Sequence, residues 1–433
     1  MDLTLRDCNI FTSDGWIEGD ISFKDGLIYE IGRGHTAKEE IDCRERTVLP
    51  GLIDLHVHFR EPGMTHKEDL SSGSLAALVS GVTTVFDMPN TVPPTTTIDR
   101  LKEKFELARG RLYCDVGFYM GYDGTNAQQI LKAKDEGLLW GVKNFFGSST
   151  ESLLVTPKDV AFLMEGLDTL YLFHGEIEKI LKKQNVQAES VREYPQQRPA
   201  EAALEGLKTV IELAERYHRR THILHVSSKE EVILLANKKP QTLTAGVTPH
   251  HLFFSEKDYE RLGNLLKVNP PVRREADRRA LEDALFNGVI DVVETDHAPH
   301  LLEEKLLDFE QAPAGLPGID TLFSAAATVT LKRGLDLLEV AKHCALNPAR
   351  IVGLRDRGEI AEGLKGDVIV VNQEKMERFG MGHIFSKASW SPFIGKELLA
   401  KPDIVVFNGE IAVWNHSLAT AAKGRVIHPG DKN

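Results

Sequence analysis

The chain has 433 residues, of which 42% are hydrophobic and 27% are charged, and its formal net charge is -12. This composition is ordinary for a globular protein with a large core, and the negative charge argues against nucleic acid or an anionic membrane as the main partner. No apolar run approaches the roughly 20 residues that cross a bilayer, and no secretory signal is visible. The four cysteines form no Cys-x-x-Cys pair. Because scattered cysteines are typical of a reducing compartment, the sequence predicts a cytoplasmic protein.

Short apolar strands separated by turns occupy both ends of the chain. Residues 1–49 have this character, with a turn at Lys24-Asp25-Gly26, and the same pattern returns after about residue 358. We therefore expect residues 1–49 and 358–433 to form one small composite β-sandwich domain built from both termini. Residues 50–357 are then the catalytic domain.

The region 50–357 alternates strand and helix patterns. Its apolar runs, predicted as strands, are 48–59, 82–88, 112–120, 140–146, 170–174, 221–226, 242–248 and 289–295. Helical patterns lie between most of them, at 71–79, 98–108, 200–217 and 274–286. This alternation predicts an α/β fold, a (β/α)8 TIM-like barrel. An open doubly wound sheet is the alternative, but no Gly-x-Gly-x-x-Gly follows an early strand. The polar segment 178–197 is predicted to be an excursion or a mobile loop.

The first barrel strand carries two histidines and an arginine at alternate positions. His56, His58 and Arg60 point to the same side of an extended strand. Two imidazoles fixed in this way suit zinc, and the guanidinium offers a planar fork for a carboxylate. A lone His-x-His pair also occurs by chance on surface strands. Whether this pair belongs to a metal site therefore depends on the residues at the ends of the other strands.

Polar residues of the metal-binding type end most of the predicted strands. They are His56, His58, Asn90, His174, His225, His250, His251, Asp296 and His297, with His300 close behind, while Lys143 lies within the fourth run. The carboxyl ends of barrel strands meet at one face, where active sites of this fold lie. One such histidine is usually a structural residue, but the set together indicates a metal site.

Lys143 is unusual because it lies inside an apolar strand. A buried ammonium is costly, so the side chain either extends to solvent, pairs with an acid or has a depressed pKa. In the last case the free amine can react with CO₂. The resulting carbamate has two oxygens and can bridge two metals at roughly 3.5–4 Å.

Two divalent ions can share these ligands around the Lys143 carbamate. The sets are His56, His58 and Asp296 for one ion, and His174 and His225 for the other. A bridging hydroxide would then form near neutral pH, because metals lower the pKa of water. Asp296 can accept its proton and pass it to a leaving nitrogen. The predicted reaction is hydrolysis of an amide-like bond, or its reversal.

The motifs resemble the amidohydrolase superfamily and, within it, the class I dihydroorotase family. The matching segments, of which Thr295-Asp296-His297-Ala298-Pro299-His300 is one example, run along the chain in the family's order. They are 50–63, 87–91, 141–143, 174–176, 225–228, 247–252, 267–271, 295–300 and 347–349. The resemblance implies reversible closure of N-carbamoyl-L-aspartate to L-dihydroorotate in pyrimidine (UMP) biosynthesis.

The same resemblance implies roles for individual residues. The implied metal ligands are His56, His58, Lys143, His174, His225 and Asp296, with Asp296 as the acid/base, zinc as the metal and Lys143 as an N-carboxylated bridge. The implied substrate contacts are Arg60, Asn90 and His300 for the α-carboxylate, and Asn269, Ala314 and Gly315 for the ring. A homodimer is the family expectation, and association with aspartate transcarbamoylase stays open.

Three positions bear on how closely the chain follows the family. Lys143 is kept where some members have aspartate, which favours the binuclear form. Gly246 replaces the glutamate used by members with a third ion, so a third ion is not expected. Ala314 replaces a bulkier residue, which affects only the shape of the pocket.

Three other functions remain open on the sequence. An allantoinase or dihydropyrimidinase would keep the ligands but generally lacks the arginine at position 60, because its ring substrate has no carboxylate. A catalytically dead scaffold would usually have lost metal ligands. A metal sensor would leave Asp296 without a role. The retained ligands, with Arg60, Asn90 and His300, favour the first interpretation.

Overall fold

The computed structural model describes residues 1–12, 15–32, 36–147, 153–184, 186, 188–419, 421 and 423–431. The strands are β1 (Leu3–Thr12), β2 (Gly15–Lys24), β3 (Leu27–Gly32), β4 (Glu39–Asp42), β5 (Thr47–Pro50), β6 (Leu52–Val57), β7 (Val82–Asp87), β8 (Asp115–Phe118), β9 (Met120–Gly121), β10 (Val142–Phe145), β11 (Tyr171–His174), β12 (Thr221–Ile223), β13 (Leu243–Val247), β14 (Val292–Val293), β15 (Val368–Val371), β16 (Met376–Arg378), β17 (Glu397–Leu399), β18 (Ile404–Phe407), β19 (Glu410–Trp414) and β20 (Ser417–Leu418). The α-helices are α1 (Leu70–Val79), α2 (Ile98–Ala108), α3 (Ala127–Asp135), α4 (Pro157–Gly166), α5 (Glu178–Lys183), α6 (Tyr194–Gln197), α7 (Ala200–Tyr217), α8 (Lys229–Lys238), α9 (Pro249–Phe253), α10 (Tyr259–Leu262), α11 (Glu275–Phe286), α12 (Leu302–Lys305), α13 (Leu322–Lys332), α14 (Leu338–Ala341) and α15 (Asn347–Val352).

Strands from both ends of the chain form one sheet. Its order is β20-β19-β18-β15-β5-β1-β2-β3, and β4 pairs with β1. Strand β5 is the junction, because it is parallel to β1 and antiparallel to β15, with Leu49 opposite Ile369. Apolar side chains of β1 alternate into a core that also holds Val368 and Val406. The two terminal segments therefore bury one core together.

The middle of the chain supplies the parallel strands of the barrel. One sheet runs β6-β7-β8 and the next runs β14-β13-β12-β11-β10-β9, and only Tyr119 separates β8 from β9 along the chain. The far ends meet where the His58 amide donates to the carbonyl of His297 at 2.8 Å. When β8 and β9 are counted as one interrupted strand, the two sheets contain eight parallel strands. This is the (β/α)8 architecture that the alternating sequence pattern predicts.

The first predicted strand, 48–59, is divided into two strands at Gly51. A Cβ at this position would lie 2.4 Å from Thr83 Oγ1, so only glycine allows β7 to approach. The chain leaves the terminal sheet at β5 and enters the barrel at β6. An apolar run does not reveal which partner each half will pair with, which is why the sequence predicted a single strand.

The helical patterns at 98–108 and 200–217 coincide with α2 and α7. Thr97 caps α2 by accepting from the Arg100 amide. The segment 178–197, by contrast, contains α5 and α6 rather than only an excursion. Tyr194 of α6 is buried against Phe309, with ring centroids 5.5 Å apart. This packing partner is distant in sequence, so local periodicity gave no sign of it.

Among the residues described, no helix is both long and apolar enough to cross a membrane.

Candidate active site

Three side chains from the first and last barrel strands converge at the carboxyl end of the barrel. Asp296 Oδ1 lies 3.2 Å from His56 Nε2 and 3.0 Å from His58 Nε2. The two Nε2 atoms are 3.3 Å apart. His58 Nδ1 donates to Asn90 Oδ1 at 2.6 Å, which fixes the tautomer whose free Nε2 faces the carboxylate.

His174 at the end of β11 and His225 just after the adjacent strand β12 extend this group. His174 Nδ1 lies 3.1 Å from His225 Nε2. The rings of His225 and His56 have centroids 5.4 Å apart. One candidate ligand atom from each of His56, His225 and Asp296 lies within 4.8 Å of the other two. Imidazole and carboxylate donors gathered at this separation form a possible metal-binding group.

Left-handed backbone geometry directs several of these side chains. Arg60, His225 and Asp296 have φ values of 62°, 39° and 47°. Non-glycine residues rarely adopt such values, at a cost on the order of 1–3 kcal/mol each, and functional sites often store this strain. Three residues of the site therefore have a backbone conformation that is unusual for residues with a side chain.

Burial keeps the imidazoles in the neutral form that binds metals. It lowers the pKa of His56 and His225 well below the usual value, and the Lys143 ammonium lowers both further. Burial also lowers the pKa of His58 and His174, although Asp296 and Glu176 respectively oppose that shift. The donor set therefore fits a divalent metal without first losing protons.

Lys143 lies on β10 with 1% of its surface exposed. Its Nζ sits 4.6 Å from the centroid of the Phe145 ring, and it has no carboxylate within 4.0 Å among the described residues. The side chain therefore neither reaches solvent nor pairs closely with an acid. Burial lowers the pKa of Lys143 to about 7, although Asp296 and Glu294 oppose the shift. A substantial fraction of the amine is then unprotonated at neutral pH.

A cavity of about 700 Å³ opens onto His58 and Asp296. Every residue that the sequence assigns to substrate binding lines it: Arg60, Asn90, Asn269, His300, Ala314 and Gly315. The structure therefore brings the two predicted groups, metal-type ligands and substrate contacts, to one space.

Arg60 is the most distinctive of the cavity side chains. It is 7% exposed, and burial lowers its pKa to about 10. Nε donates to the carbonyl of Pro299 at 3.1 Å, and Nη2 lies 3.2 Å from His300 Nε2. Within the described parts of the chain, no carboxylate comes within 4.0 Å of this guanidinium. A buried arginine without an acidic partner is suited to bind an anion from outside.

The remaining predicted contacts are already engaged by the protein. Asn269 Oδ1 accepts from the Tyr194 hydroxyl at 2.5 Å. His300 Nδ1 accepts from the Lys67 ammonium at 3.0 Å, and its Nε2 lies 3.1 Å from the carbonyl of Ala314. Burial and the charge of Arg60 lower the pKa of His300, so it is neutral.

Two lysines fix the loop that carries Ala314 and Gly315. Lys305 Nζ donates to the carbonyls of Lys267, Pro313 and Gly315 at 3.0, 2.8 and 2.9 Å. The Gly315 amide in turn donates to the Lys267 carbonyl at 2.9 Å. Gly315 has a φ of 133°, and a Cβ there would lie 2.6 Å from the Ala298 carbonyl oxygen.

Sequence reasoning missed several residues around the cavity. Glu176 accepts from His174 Nε2 at 3.0 Å and forms a buried ion pair with Arg198. Tyr194 and Arg198 line the cavity. Glu176 lies within the family-like segment 174–176, but nothing in the sequence links it to Arg198. The strand-end residues His251 and His297 instead serve the scaffold, since they contact the Pro270 carbonyl and the Gly318 amide.

The sequence and the architecture both match a known family. A family model described as the amidohydrolase family matches residues 47–412. The L-hydantoinase (dihydropyrimidinase) from Arthrobacter aurescens has the same fold, with a TM-score of 0.94, 26% identity and 99% coverage of both chains. The chain belongs to the amidohydrolase family.

Relatives narrow the placement within this family. The chain is 33% identical to a dihydroorotase of Methanosarcina acetivorans, over 98% of this chain and 94% of that protein. It is 35% identical to a dihydroorotase of Clostridium acetobutylicum, over 86% and 89% of the two chains. A dihydroorotase of Pyrococcus abyssi is 32% identical over 96% of each chain. Its place in the family is among the dihydroorotases.

Proposed function

We propose that this enzyme is a metal-dependent dihydroorotase that interconverts N-carbamoyl-L-aspartate and L-dihydroorotate plus water, a step of de novo pyrimidine (UMP) biosynthesis. The observation that carries the proposal is Arg60. It is a buried guanidinium with no acidic partner among the described residues, in the same cavity as Asp296. A cyclic amide that bears a carboxylate supplies an anion for Arg60 and an amide bond for the chemistry at Asp296. A neutral ring would leave the charge of Arg60 uncompensated.

The proposed metal centre holds two divalent ions, most simply zinc. His56, His58 and Asp296 would hold one ion and His174 and His225 the other, with N-carboxylated Lys143 between them. Its support is the convergence of the donor atoms, the neutral imidazoles and the buried lysine with a pKa of about 7. When bound, the ions lower the pKa of water and polarise the amide carbonyl.

Asp296 is the proposed acid/base. In the hydrolytic direction, a water oxygen forms a bond to the ring amide carbon, and the carbon–nitrogen bond then breaks. Asp296 accepts the proton that the water loses and delivers it to the departing nitrogen. Its side chain is 13% exposed and lines the cavity, so it can reach both atoms. Ring closure follows the same path in reverse.

Arg60, Asn90 and His300 are proposed to hold the substrate α-carboxylate, and Asn269 and the Ala314–Gly315 loop to contact the ring. Arg60 is already oriented by Pro299 and His300, so little ordering is required when an anion binds. Asn90 has a second duty in this scheme. Its carbonyl oxygen accepts from His58 Nδ1, which leaves its amide N–H groups as donors for the substrate carboxylate.

We further propose a homodimer in the cytoplasm, with residues 1–49 and 358–433 as a supporting domain and 50–357 as the catalytic domain. The free, buried cysteines are consistent with a reducing compartment. Association with aspartate transcarbamoylase is an additional proposal. Size-exclusion chromatography with light scattering, with and without that enzyme, tests both assemblies.

A substrate comparison tests the proposed function. Purified protein is assayed on L-dihydroorotate, dihydrouracil and allantoin, and its metal content is measured on the same sample. We expect activity on L-dihydroorotate alone, with about two ions per chain. Activity on the neutral rings would reassign the protein to the hydantoinase type, which the fold also accommodates. Bound metal without activity on any ring would support a scaffold instead.

A further inference from the structure

A buried glutamate lies next to the candidate metal ligands. Glu294 follows β14 and is fully buried. Its Oε2 lies 3.3 Å from His222 Nε2, and its Oε1 accepts from the His225 amide at 3.3 Å. Among the residues described, its ion-pair contacts are with imidazoles only, His56 and His222. Within the described part of the chain, no lysine or arginine forms an ion pair with Glu294, so its location requires another explanation.

His56 has a buried ring nitrogen that lacks a partner. Its Nε2 faces Asp296 and His58, but within the described residues Nδ1 has no hydrogen bond. The carboxylate oxygen facing Nδ1 is Glu294 Oε1, at 3.9 Å. This distance is about 1 Å longer than a hydrogen bond, and closing it would require one of the two side chains to rotate. Metal-binding histidines usually donate the second ring N–H to such an acceptor.

Gly246 on β13 leaves space for this carboxylate. A Cβ at Gly246 would lie 2.3 Å from Glu294 Oε1 and 2.7 Å from its Cδ. The φ of Gly246 is outside the left-handed region, so backbone strain does not require a glycine there. The requirement is steric, because the Glu294 side chain crosses over β13. The carboxylate therefore comes from the end of β14, and the glycine on the adjacent strand β13 leaves the space that it occupies.

We propose that Glu294 is a positioning residue for the metal centre. It accepts the Nδ1–H of His56 and so directs Nε2 toward the metal. Through the His225 amide, it also fixes the strained turn that presents the other set of ligands. One carboxylate thereby aligns a ligand from each of the two proposed ions. This inference rests on the metal centre of the proposed function.

Cobalt binding tests the role without using substrate. Metal-free wild type, Glu294→Gln and Glu294→Ala are titrated with Co²⁺ by equilibrium dialysis, and the visible d–d spectrum is recorded. We expect Glu294→Ala to weaken Co²⁺ binding by about 10- to 100-fold and to alter the spectrum. Glu294→Gln keeps the shape and an acceptor oxygen, so its loss should be smaller.

A rescue variant separates positioning from general stability. In Gly246→Asp/Glu294→Ala, the aspartate carboxyl carbon lies one bond of about 1.5 Å beyond a Cβ that is already next to the former Glu294 oxygen. We expect this double variant to recover Co²⁺ affinity to within about threefold of wild type. Gly246→Asp alone should be strongly destabilised, because two carboxyl groups would occupy one space.

Thr244→Val provides the matched control. It removes the 2.8 Å hydrogen bond to His222 Nδ1, a loss on the same strand that does not touch His56. It should unfold more easily but bind Co²⁺ with wild-type affinity and spectrum. Wild-type Co²⁺ binding by Glu294→Ala, or a double variant no better than Glu294→Ala, would overturn the role of Glu294. Wild type that binds no Co²⁺ would overturn both this role and the proposed function.

Discussion

The two sides of the cavity are built by different means. The proposed ligand side comprises His56, His58, Lys143, His174, His225 and Asp296, of which His58 and Asp296 line the cavity. These residues lie on barrel strands or within three residues after them. The clamp side comprises Arg60, Lys67, His300 and the loop 313–315. It is held together by contacts between side chains and by hydrogen bonds from side chains to backbone carbonyls. Strand backbones fix the spacing of the ligand side, whereas the clamp side depends on a few long side chains. Damage to the ligand side should therefore reduce turnover, and damage to the clamp side should reduce substrate affinity.

Metal removal should have the largest effect, because it affects the ligand side as a whole. We expect dialysis against a chelator to abolish L-dihydroorotate hydrolysis, and Zn²⁺ or Co²⁺ to restore it, since the amide carbonyl is otherwise not activated. Turnover and metal content are measured on the same samples. Full turnover by protein with no detectable metal would contradict the proposed centre.

Asp296→Asn should lower kcat by about 10³-fold while the KM for L-dihydroorotate changes little, because the acid/base is lost but Arg60 is intact. The amide retains the size of the carboxylate, so metal content should stay close to that of wild type. Steady-state kinetics and metal analysis check both points. If kcat stayed near its wild-type value, Asp296 would not be the proton carrier.

Arg60→Lys should raise KM by about 10- to 100-fold with a smaller change in kcat, because one ammonium cannot reproduce the two parallel hydrogen bonds of a guanidinium. Arg111→Lys is the matched control. Arg111 pairs with Glu61 at 2.8 Å but does not line the cavity. An unchanged KM in Arg60→Lys would remove the main support for a substrate with a carboxylate.

Lys305→Met should have the smallest effect, a rise in KM of about threefold to tenfold with nearly constant kcat. The change removes the hydrogen bonds that Lys305 donates to the carbonyls of Lys267, Pro313 and Gly315. The Pro313 and Gly315 carbonyls then lose this donor, whereas the Lys267 carbonyl still accepts from the Gly315 amide. Lys102→Met, which removes an exposed lysine of α2, is the control. A loss of kcat that exceeds the change in KM would mean that the loop also aligns the ligand side.

The contrast between the two sides also explains what the sequence could predict. His56 and His58 are recognisable because strand alternation fixes their relative direction. Of the other proposed ligands, His174, His225 and Asp296 are recognisable because each stands at the end of an apolar run, and Lys143 because a lysine is unusual inside one. Lys305 and Arg198 were not recognised. Their partners are loop carbonyls and Glu176, and no local pattern reveals such contacts.

The fold also has parts that the sequence predicts and parts that it does not. The pattern of α7 predicted its bounds because one helix face is buried along its whole length. The division at Gly51 was not predicted, because both β5 and β6 are apolar and only their pairing partners distinguish them. Glu294 was overlooked for a related reason. Its proposed role is recognisable only together with Gly246, the residue on the neighbouring strand that leaves space for its side chain.

The position of β5 between β1 and β15 has a consequence for how the protein is made. Leu49 is synthesised early, but its partner Ile369 leaves the ribosome only after the whole barrel. At about 5–20 residues per second, the wait is on the order of tens of seconds. During that time the nascent half-sheet presents an unpaired edge, which is a site for aggregation. Chaperone demand should therefore depend on the speed of translation through the barrel, and slow codons there should reduce the soluble yield.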